Sequence, residues 1–455
     1  MTIQRPRGTR DFLPEDAWTR STARKIMQRV LERWGYQEIS TPTFEHLELF
    51  TLKSGPSVIE EIYSFKDKGG RDLALRPELT APVMRMYVNE LQNVAKPLRL
   101  YYFGNCFRYE RPQRGRFREF WQLGAEIIGG NKPDSEAEAI ALADQVLRNI
   151  NVSGEIHVGY LGLIRAILAR IAPEHRPQVM RMIDKKEREN LEAYLNEIGA
   201  DGLGLRELIN LKGKDALDKA FSIVEDLGAS EAHASCVASP GGAEPSHVTA
   251  SPSSSERGRT ARAGREVAAE LGLDEFRQTV ELLDSYGVNY AVDFEIVRGL
   301  EYYSGTVFEI YAHGLGAQRQ ICGGGTYELC RLFGGAETSS TGFGMGFDRI
   351  MEVIQLDAKR KAPAVLVYTP DVKKAAVRIA RDLRERVPLV IDVMGRGFGA
   401  QMKNAANLGA EYVILVGKNE LDSGTLTLRD MKSGTQESLP LEEIAKRLAE
   451  KYSCA

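Results

Sequence analysis

Five arginines fall within the eleven residues from Arg108 to Arg118, in the run Phe107-Arg108-Tyr109-Glu110-Arg111-Pro112-Gln113-Arg114-Gly115-Arg116-Phe117-Arg118-Glu119-Phe120. Guanidinium groups are planar, permanently charged and able to chelate phosphate oxygens. Such a cluster therefore suits a polyphosphate, and a transition state in which charge gathers on phosphorus. A charged hairpin facing water would have the same composition. On the strand that follows, a period of two puts Phe120, Gln122, Gly124 and Glu126 on one face, which either lines a polar cavity or meets water. Gly124 is expected to leave room there for a substrate.

Three further groups could join that site. Arg76-Pro77-Glu78-Leu79-Thr80 offers a carboxylate and a hydroxyl, the acceptors an ammonium group needs, although a proline-bounded turn with a helix cap accounts for it equally well. Arg298-Gly299-Leu300-Glu301-Tyr302-Tyr303-Ser304-Gly305 and Cys322-Gly323-Gly324-Gly325-Thr326-Tyr327 carry glycines that permit close backbone approach to a ligand, or that simply turn the chain. Gly342-Phe343-Gly344-Met345-Gly346-Phe347 alternates bare backbone with apolar side chains, and Arg349 follows at the start of a helix. A glycine floor beside an arginine suits a purine with a phosphate tail. Neither a Walker loop nor a Gly-x-Gly-x-x-Gly turn between strand and helix is present, so a nucleotide would be held in another way.

The elements that must position these residues come in two styles. Ile26, Met27, Val30, Leu31 and Trp34 recur at helical spacing and predict an amphipathic helix over Asp16 to Trp34, ended by Gly35. Extended runs at 36–40, 42–44, 73–76, 98–108, 117–128, 290–296, 306–311 and 340–347 fit one antiparallel sheet. Residues 158–227 read as helical. Residues 229–265, rich in Ser, Gly, Ala and Pro, read as a flexible insert. After a charged linker, strands at 364–368, 389–393 and 412–416 alternate with helices at 372–385 and 400–408, a repeat that builds a parallel or mixed sheet. The expected division is a catalytic domain in two parts, 1–155 and 281–356, interrupted by a helical insertion at 156–280 and followed by a separate domain at 363–455.

Composition sets outer limits. A net charge of -3 over 455 residues leaves no global footprint for nucleic acid, so any such contact must be local. Five cysteines without a Cys-x-x-Cys pair support neither a disulfide framework nor a structural zinc site, and no metal-ligating residues are assigned. No apolar stretch has the length of a signal peptide or a membrane span, and a cytoplasmic protein without membrane contact is expected.

Taken together, these blocks resemble the class II aminoacyl-tRNA synthetases and, among them, those specific for histidine. Residues 35–50 look like the first class motif, 107–126 match the second and 342–350 the third. The Arg298–Tyr303 and Gly323–Tyr327 peptides are similar to the two histidine signatures, with Thr326 and Glu328 where the family commonly has arginine and aspartate. The resemblance implies an α+β fold, a class II antiparallel sheet flanked by helices, with a helical insertion and a C-terminal α/β mixed-sheet anticodon-binding domain. It implies that Arg108, Arg116 and Arg349 hold the ATP phosphates, that Phe120 stacks on adenine, and that Arg298 acts with Arg108 at the α-phosphate. Glu78, Thr80 and Gln122 would bind the α-amino group of histidine. Glu126 and Tyr303 would bind its ring, with Tyr302 and Arg298 also in the histidine pocket. The implied cofactor is Mg2+ bridging ATP, and the implied partners are L-histidine, tRNA(His) and a second copy of the chain joined through the first motif. Arg396, Lys403 and Lys418 are candidates for RNA contact. Two neighbouring readings are the synthetase-like regulatory subunit of ATP phosphoribosyltransferase in histidine biosynthesis, and a related synthetase for proline, threonine or glycine.

Overall fold

The computed structural model describes residues 2–54, 56–111, 115–213, 215–223, 272–297, 302–315 and 319–452. Arg298 and the stretch read as a flexible insert at 229–265 lie outside them. The chain divides into two compact units, Met1–Phe12 with Arg20–Leu356, and Leu13–Thr19 with Asp357–Ala455.

In the first unit, helix α1 (Pro14–Arg33) buries Ala23, Met27, Val30 and Leu31. It stops where Gly35 takes a φ of 80° and the Tyr36 amide closes back on the Leu31 carbonyl, a left-handed cap open to glycine at little cost. Strand β1 (Gln37–Glu38) leads to a small sheet of β2 (Phe44–His46), β3 (Ser64–Lys66) and β4 (Asp72–Leu75), ordered β2-β4-β3. Helix α2 (Leu47–Ser54) lies between β2 and β3 in the chain, and α3 (Thr80–Met86) follows β4. Next come β5 (Leu98–Phe107), β6 (Glu119–Ile128), helix α4 (Lys132–Asn149) and β7 (Gly154–Tyr160). The region read as helical then supplies α5 (Leu161–Ala169), α6 (Arg176–Asp184), α7 (Arg188–Glu197) and α8 (Leu205–Ile209). After α9 (Leu273–Ser285), strands β8 (Tyr290–Val292), β9 (Tyr303–Ala312), β10 (Gln320–Tyr327) and β11 (Ser340–Gly346) complete the main sheet, and α10 (Phe347–Met351) follows.

That sheet has eight strands in the order β1-β5-β6-β11-β10-β9-β7-β8. The six inner strands are antiparallel, and β1 and β8 join the edges in parallel. One face carries Leu123, Ala125, Ile127, Phe343 and Met345 into the main core, which also takes in Ala137, Ile140 and Leu147 of α4. The opposite face carries Gln122, Gly124, Glu126, Gly342 and Gly344. The expected antiparallel sheet is therefore present at its centre, but the runs read at 42–44 and 73–76 pair in the separate small sheet and those at 36–40 and 290–296 join the edges in parallel. The Gly323-Gly324-Gly325 string, for which a turn was one of two readings, is the middle of β10, and none of its glycines has positive φ.

The second unit is a five-stranded sheet, β13 (Leu389–Ile391), β12 (Ala364–Tyr368), β14 (Tyr412–Val416), β15 (Leu426–Asp430) and β16 (Gln436–Leu439) in that order, parallel across the first three and antiparallel beyond. Helices α11 (Lys373–Arg384), α12 (Phe398–Asn407), α13 (Lys418–Ser423) and α14 (Leu441–Tyr452) complete it. Two of the three strands read from the sequence match residue for residue, at 364–368 and 412–416, while the closing hairpin and last helix went unread. Of the basic candidates, Arg396 is held by Asp392 through both its amide (2.9 Å) and its guanidinium (3.4 Å).

The glycines of the main sheet are not interchangeable. A Cβ on Gly324 would lie 2.1 Å from the Gly342 carbonyl oxygen, whereas one on Gly344 would meet only the Gln122 amide nitrogen at 3.9 Å. Gly324→Ala is therefore expected to destabilise the fold by about 1–3 kcal/mol or more, and Gly344→Ala to be neutral within about 1 kcal/mol, as read by urea unfolding.

Candidate active site

Strand pairing builds the site around Glu126. Antiparallel register sets Tyr102 of β5 opposite Gly124 of β6. A Cβ on Gly124 would sit 2.4 Å from the Tyr102 ring, so the space expected to admit a substrate is filled by that ring. The Tyr102 hydroxyl then donates to Glu126 Oε1 at 3.1 Å. On the other flank, β11 sets Gly342 opposite Glu126, and a Cβ there would fall 1.5 Å from Oε2. The glycine is the space the carboxylate occupies. From β10, the Tyr327 hydroxyl donates to Oε2 at 2.6 Å, and Thr80 at the start of α3 adds a hydroxyl.

Glu126 is 1% exposed. Burial pushes its carboxyl up to about 7, against the hydrogen bonds from Tyr327, Tyr102 and Thr80, which favour the ionised form. Burial and the same carboxylate hold the Tyr102 and Tyr327 hydroxyls well above the ordinary phenol range, so both remain proton donors. Beside them the rings of Tyr302 and Tyr303 lie 4.4 Å apart, and each meets Tyr327 edge-on, at 6.4 and 6.2 Å. Glu126 and Tyr303, paired by the family resemblance, thus meet through Tyr327, whose hydroxyl holds the carboxylate.

Glu78 caps α3. Its Oε2 accepts the Thr80 amide at 2.7 Å and its Oε1 the Ala81 amide at 3.1 Å, which is the cap left open by the sequence. The Lys53 ammonium stands 3.2 Å from Oε2. Gln122 accepts from the buried Cys106 thiol at 3.3 Å, and burial pushes that thiol up to about 12.

The arginine hairpin forms the neighbouring wall. Arg108 donates through Nε to the Pro77 carbonyl at 2.9 Å, and its guanidinium stands 5.2 Å from the Phe120 ring centroid. Glu110 lies 3.1 Å from Arg116 and 3.8 Å from Arg108. A Cβ on Gly115 would touch the stem of Arg349, whose guanidinium donates to the Gln320 carbonyl. Asp348 ties this wall together, accepting from Arg10, from Arg20 at 2.8 Å and from the Trp121 amide at 2.6 Å.

Thr326, which stands in the signature peptide where the family commonly has arginine, faces the other side of the sheet. There it donates to Glu136 of α4 at 2.7 Å and bonds Thr341 at 2.8 Å. Glu328 accepts from Ser304 at 3.3 Å. The sequence reading gave no role to Tyr102 or Lys53, and named Tyr327 only as the end of a signature peptide. Tyr327 had a signal, since it follows Gly323 and Gly325 at a period of two. Tyr102 and Lys53 enter only through long-range pairing.

Comparison with known proteins bears on this arrangement. The histidyl-tRNA synthetase family model matches residues 8–239 and 247–350, and an anticodon-binding domain model matches residues 359–451. A histidine–tRNA ligase of Methanosarcina acetivorans is 50% identical over 98% of this chain and 99% of its own length. One from Archaeoglobus fulgidus is 43% identical over 98% and 99%. The crystal structure of apo S. aureus histidyl-tRNA synthetase superposes with a TM-score of 0.69 at 25% identity, covering 98% of this chain and all of that one. A Bacillus halodurans structure titled as an ATP phosphoribosyltransferase regulatory subunit/histidyl-tRNA synthetase gives 0.72 at 25% identity, over 92% and 99%.

The burial of Glu126 has a consequence for stability. Below about pH 4.5 the carboxyl holds its proton in both folded and unfolded chains. Between there and about 7 only the folded chain keeps it, and above that neither does. Stability relative to Glu126→Gln is therefore expected to fall as pH rises across that window and to level off above it. The total change should be up to about 3 kcal/mol, measured as the difference in pH slope of urea unfolding.

Proposed function

The chain belongs to the histidyl-tRNA synthetase family, and on that footing we propose that it activates L-histidine with ATP and transfers it to tRNA(His). The observation that carries the reading is the buried Glu126 carboxylate, held by Tyr327 and Tyr102 beside the rings of Tyr302 and Tyr303 and next to an arginine wall. A carboxylate and phenols in a desolvated pocket suit a ring with two nitrogens. A ligand unable to use those bonds would leave them unpaired, which in such sites discriminates by about four to five orders of magnitude.

In this reading one oxygen of the histidine carboxylate attacks the α-phosphorus of ATP, pyrophosphate leaves, and the product is histidyl-adenylate. The terminal ribose hydroxyl of the tRNA then attacks the acyl carbon and AMP leaves. Arg108, already anchored on the Pro77 carbonyl beside Phe120, would meet the α-phosphate and the substrate carboxylate. Phe120 would stack on adenine, Arg116 and Arg349 would take the outer phosphates, and Arg298 would stabilise charge at the α-phosphate. Glu78, Thr80 and Gln122 would receive the α-amino group. Glu126, Tyr303 and Tyr302 would form the ring pocket, with Tyr327 added.

Magnesium would arrive with ATP as the counter-ion of its phosphates, a setting in which this ion keeps several waters and takes one or two carboxylates. Among the described residues no group of three His, Cys, Asp or Glu could hold a metal ion. The residues matching the anticodon-binding domain supply the second contact with tRNA, with Arg396, Lys403 and Lys418 as candidates. A homodimer through residues 35–50 and a cytoplasmic site of action complete the proposal. Among the described residues no helix is long and apolar enough to cross a membrane. The regulatory-subunit reading has less support, because relatives matched from end to end are ligases and the anticodon-binding match is retained.

Labelled pyrophosphate should exchange into ATP with histidine and magnesium, and with no other amino acid; silence with histidine would sink the proposal. Arg298→Ala should lower the exchange rate by about two to three orders of magnitude while histidine binding stays measurable by calorimetry.

A further inference from the structure

Lys53 is a buried cation that the reaction outlined above does not use. It sits in the last turn of α2 on the face that buries Leu49 and Phe50, and its side chain is only 6% exposed. A lysine on the buried face of a helix normally extends its stem to reach water. Here the ammonium stays inside, 3.2 Å from Glu78 Oε2 and 4.4 Å from the centroid of the Tyr302 ring. Burial works to lower its pKa, but Glu78 and then Tyr302 outweigh burial, so the group remains charged.

Glu78 shares its surroundings with a second carboxylate. It acts on Glu126, Tyr102 and Cys106 as a neighbouring negative charge. Two carboxylates in one desolvated pocket repel each other, and a cation seated on one of them offsets that repulsion. Arg108 is bound to Pro77 and faces Phe120, and among the described residues Lys53 is the cation seated directly on Glu78.

We propose that Lys53 is a positioning and specificity-determining residue of the amino-acid pocket: it anchors the Glu78 carboxylate for the substrate α-amino group and seats the Tyr302 ring beside it. This rests on the histidine reading above and names how the α-amino half of that substrate is recognised. Because Lys53 acts through Glu78, its loss should weaken ligands that carry an α-amino group and spare those that lack one.

The test is a pair of competitive inhibitors of the exchange reaction. Histidinol keeps the α-amino group and lacks the carboxylate; imidazole-4-propionate keeps the carboxylate and lacks the α-amino group. In Lys53→Met the inhibition constant of histidinol, and the KM for histidine, should rise about ten- to a hundredfold, as for loss of a charge-assisted contact. The constant for imidazole-4-propionate and the KM for ATP should stay within about twofold, and Lys53→Arg should restore most of the histidinol affinity. The ratio of the two inhibition constants does not depend on the folded fraction, and Lys53→Gln provides the same reading should Lys53→Met fold poorly. Parallel loss of both inhibitors, or no change in either, would overturn the role given to Lys53. If the unsubstituted protein binds neither inhibitor, the histidine reading itself fails, and this inference with it.

Discussion

A carboxylate sealed inside a sheet face is the constraint from which much of the first unit follows. Glu126 can remain buried only with donors at both oxygens and with space for its head group. Gly342 supplies the space, Tyr327 and Tyr102 supply the donors, and Gly124 exists in turn so that the Tyr102 ring can cross β6. Gly325 is similarly enclosed, since a Cβ there would lie 2.5 Å from the Thr306 carbonyl oxygen and 3.0 Å from the Tyr303 ring. The glycines of β6, β10 and β11 are thus largely packing requirements set by aromatic and acidic side chains. Open floor is confined to positions such as Gly344.

A second buried carboxylate pins the reverse face. Glu136 of α4 accepts hydroxyl bonds from Thr279 at 2.8 Å, Thr306 at 2.5 Å and Thr326 at 2.7 Å, and the Thr306 amide at 3.2 Å. Burial raises its pKa, and the donors that oppose this rise are neutral. Thr326 and Tyr327 are adjacent on β10 and point to opposite faces, so one dipeptide serves both carboxylates. The strand that carries the pocket tyrosine is thereby fixed to α4 and α9 from behind. Networks of this kind specify a single arrangement because a shift of register would leave every member unpaired.

Features carried by local periodicity were legible in the sequence. The alternating glycines at 342, 344 and 346, the shared face of Gln122, Gly124 and Glu126, and the strands at 364–368 and 412–416 all follow from a period of two. What was not legible depends on register between distant strands. Nothing near Gly124 in the chain announces that Tyr102 will lie over it, and nothing near Lys53 announces Glu78. The glycine string at 323–325 stayed open between two readings for a related reason. Glycine is a poor strand former on its own, and its place in β10 is set by the neighbours that leave no room for a side chain. The opposite facing of Thr326 and Tyr327 went unread because a signature peptide read as a unit hides the alternation of its faces.

The two walls of the site differ in how far they are already assembled. On the side proposed for the amino acid, Glu126 and Glu78 have their partners in place without a ligand, so binding there would require little rearrangement of charge. On the side proposed for the nucleotide, two of the cations share one internal partner: Glu110 faces Arg116 and Arg108 in a partly exposed cluster. Ion pairs of that exposure contribute only about 0–1 kcal/mol. In the proposed reaction ATP phosphates would replace Glu110 at a small energetic cost, exchanging a weak, solvated partner for a polyanion that can engage several guanidinium groups at once. In that proposal, a preassembled pocket that selects the ring and a loosely paired wall that yields to the nucleotide would be complementary. The first requires burial and a fixed register, and the second requires arginines whose resting partner is easily displaced.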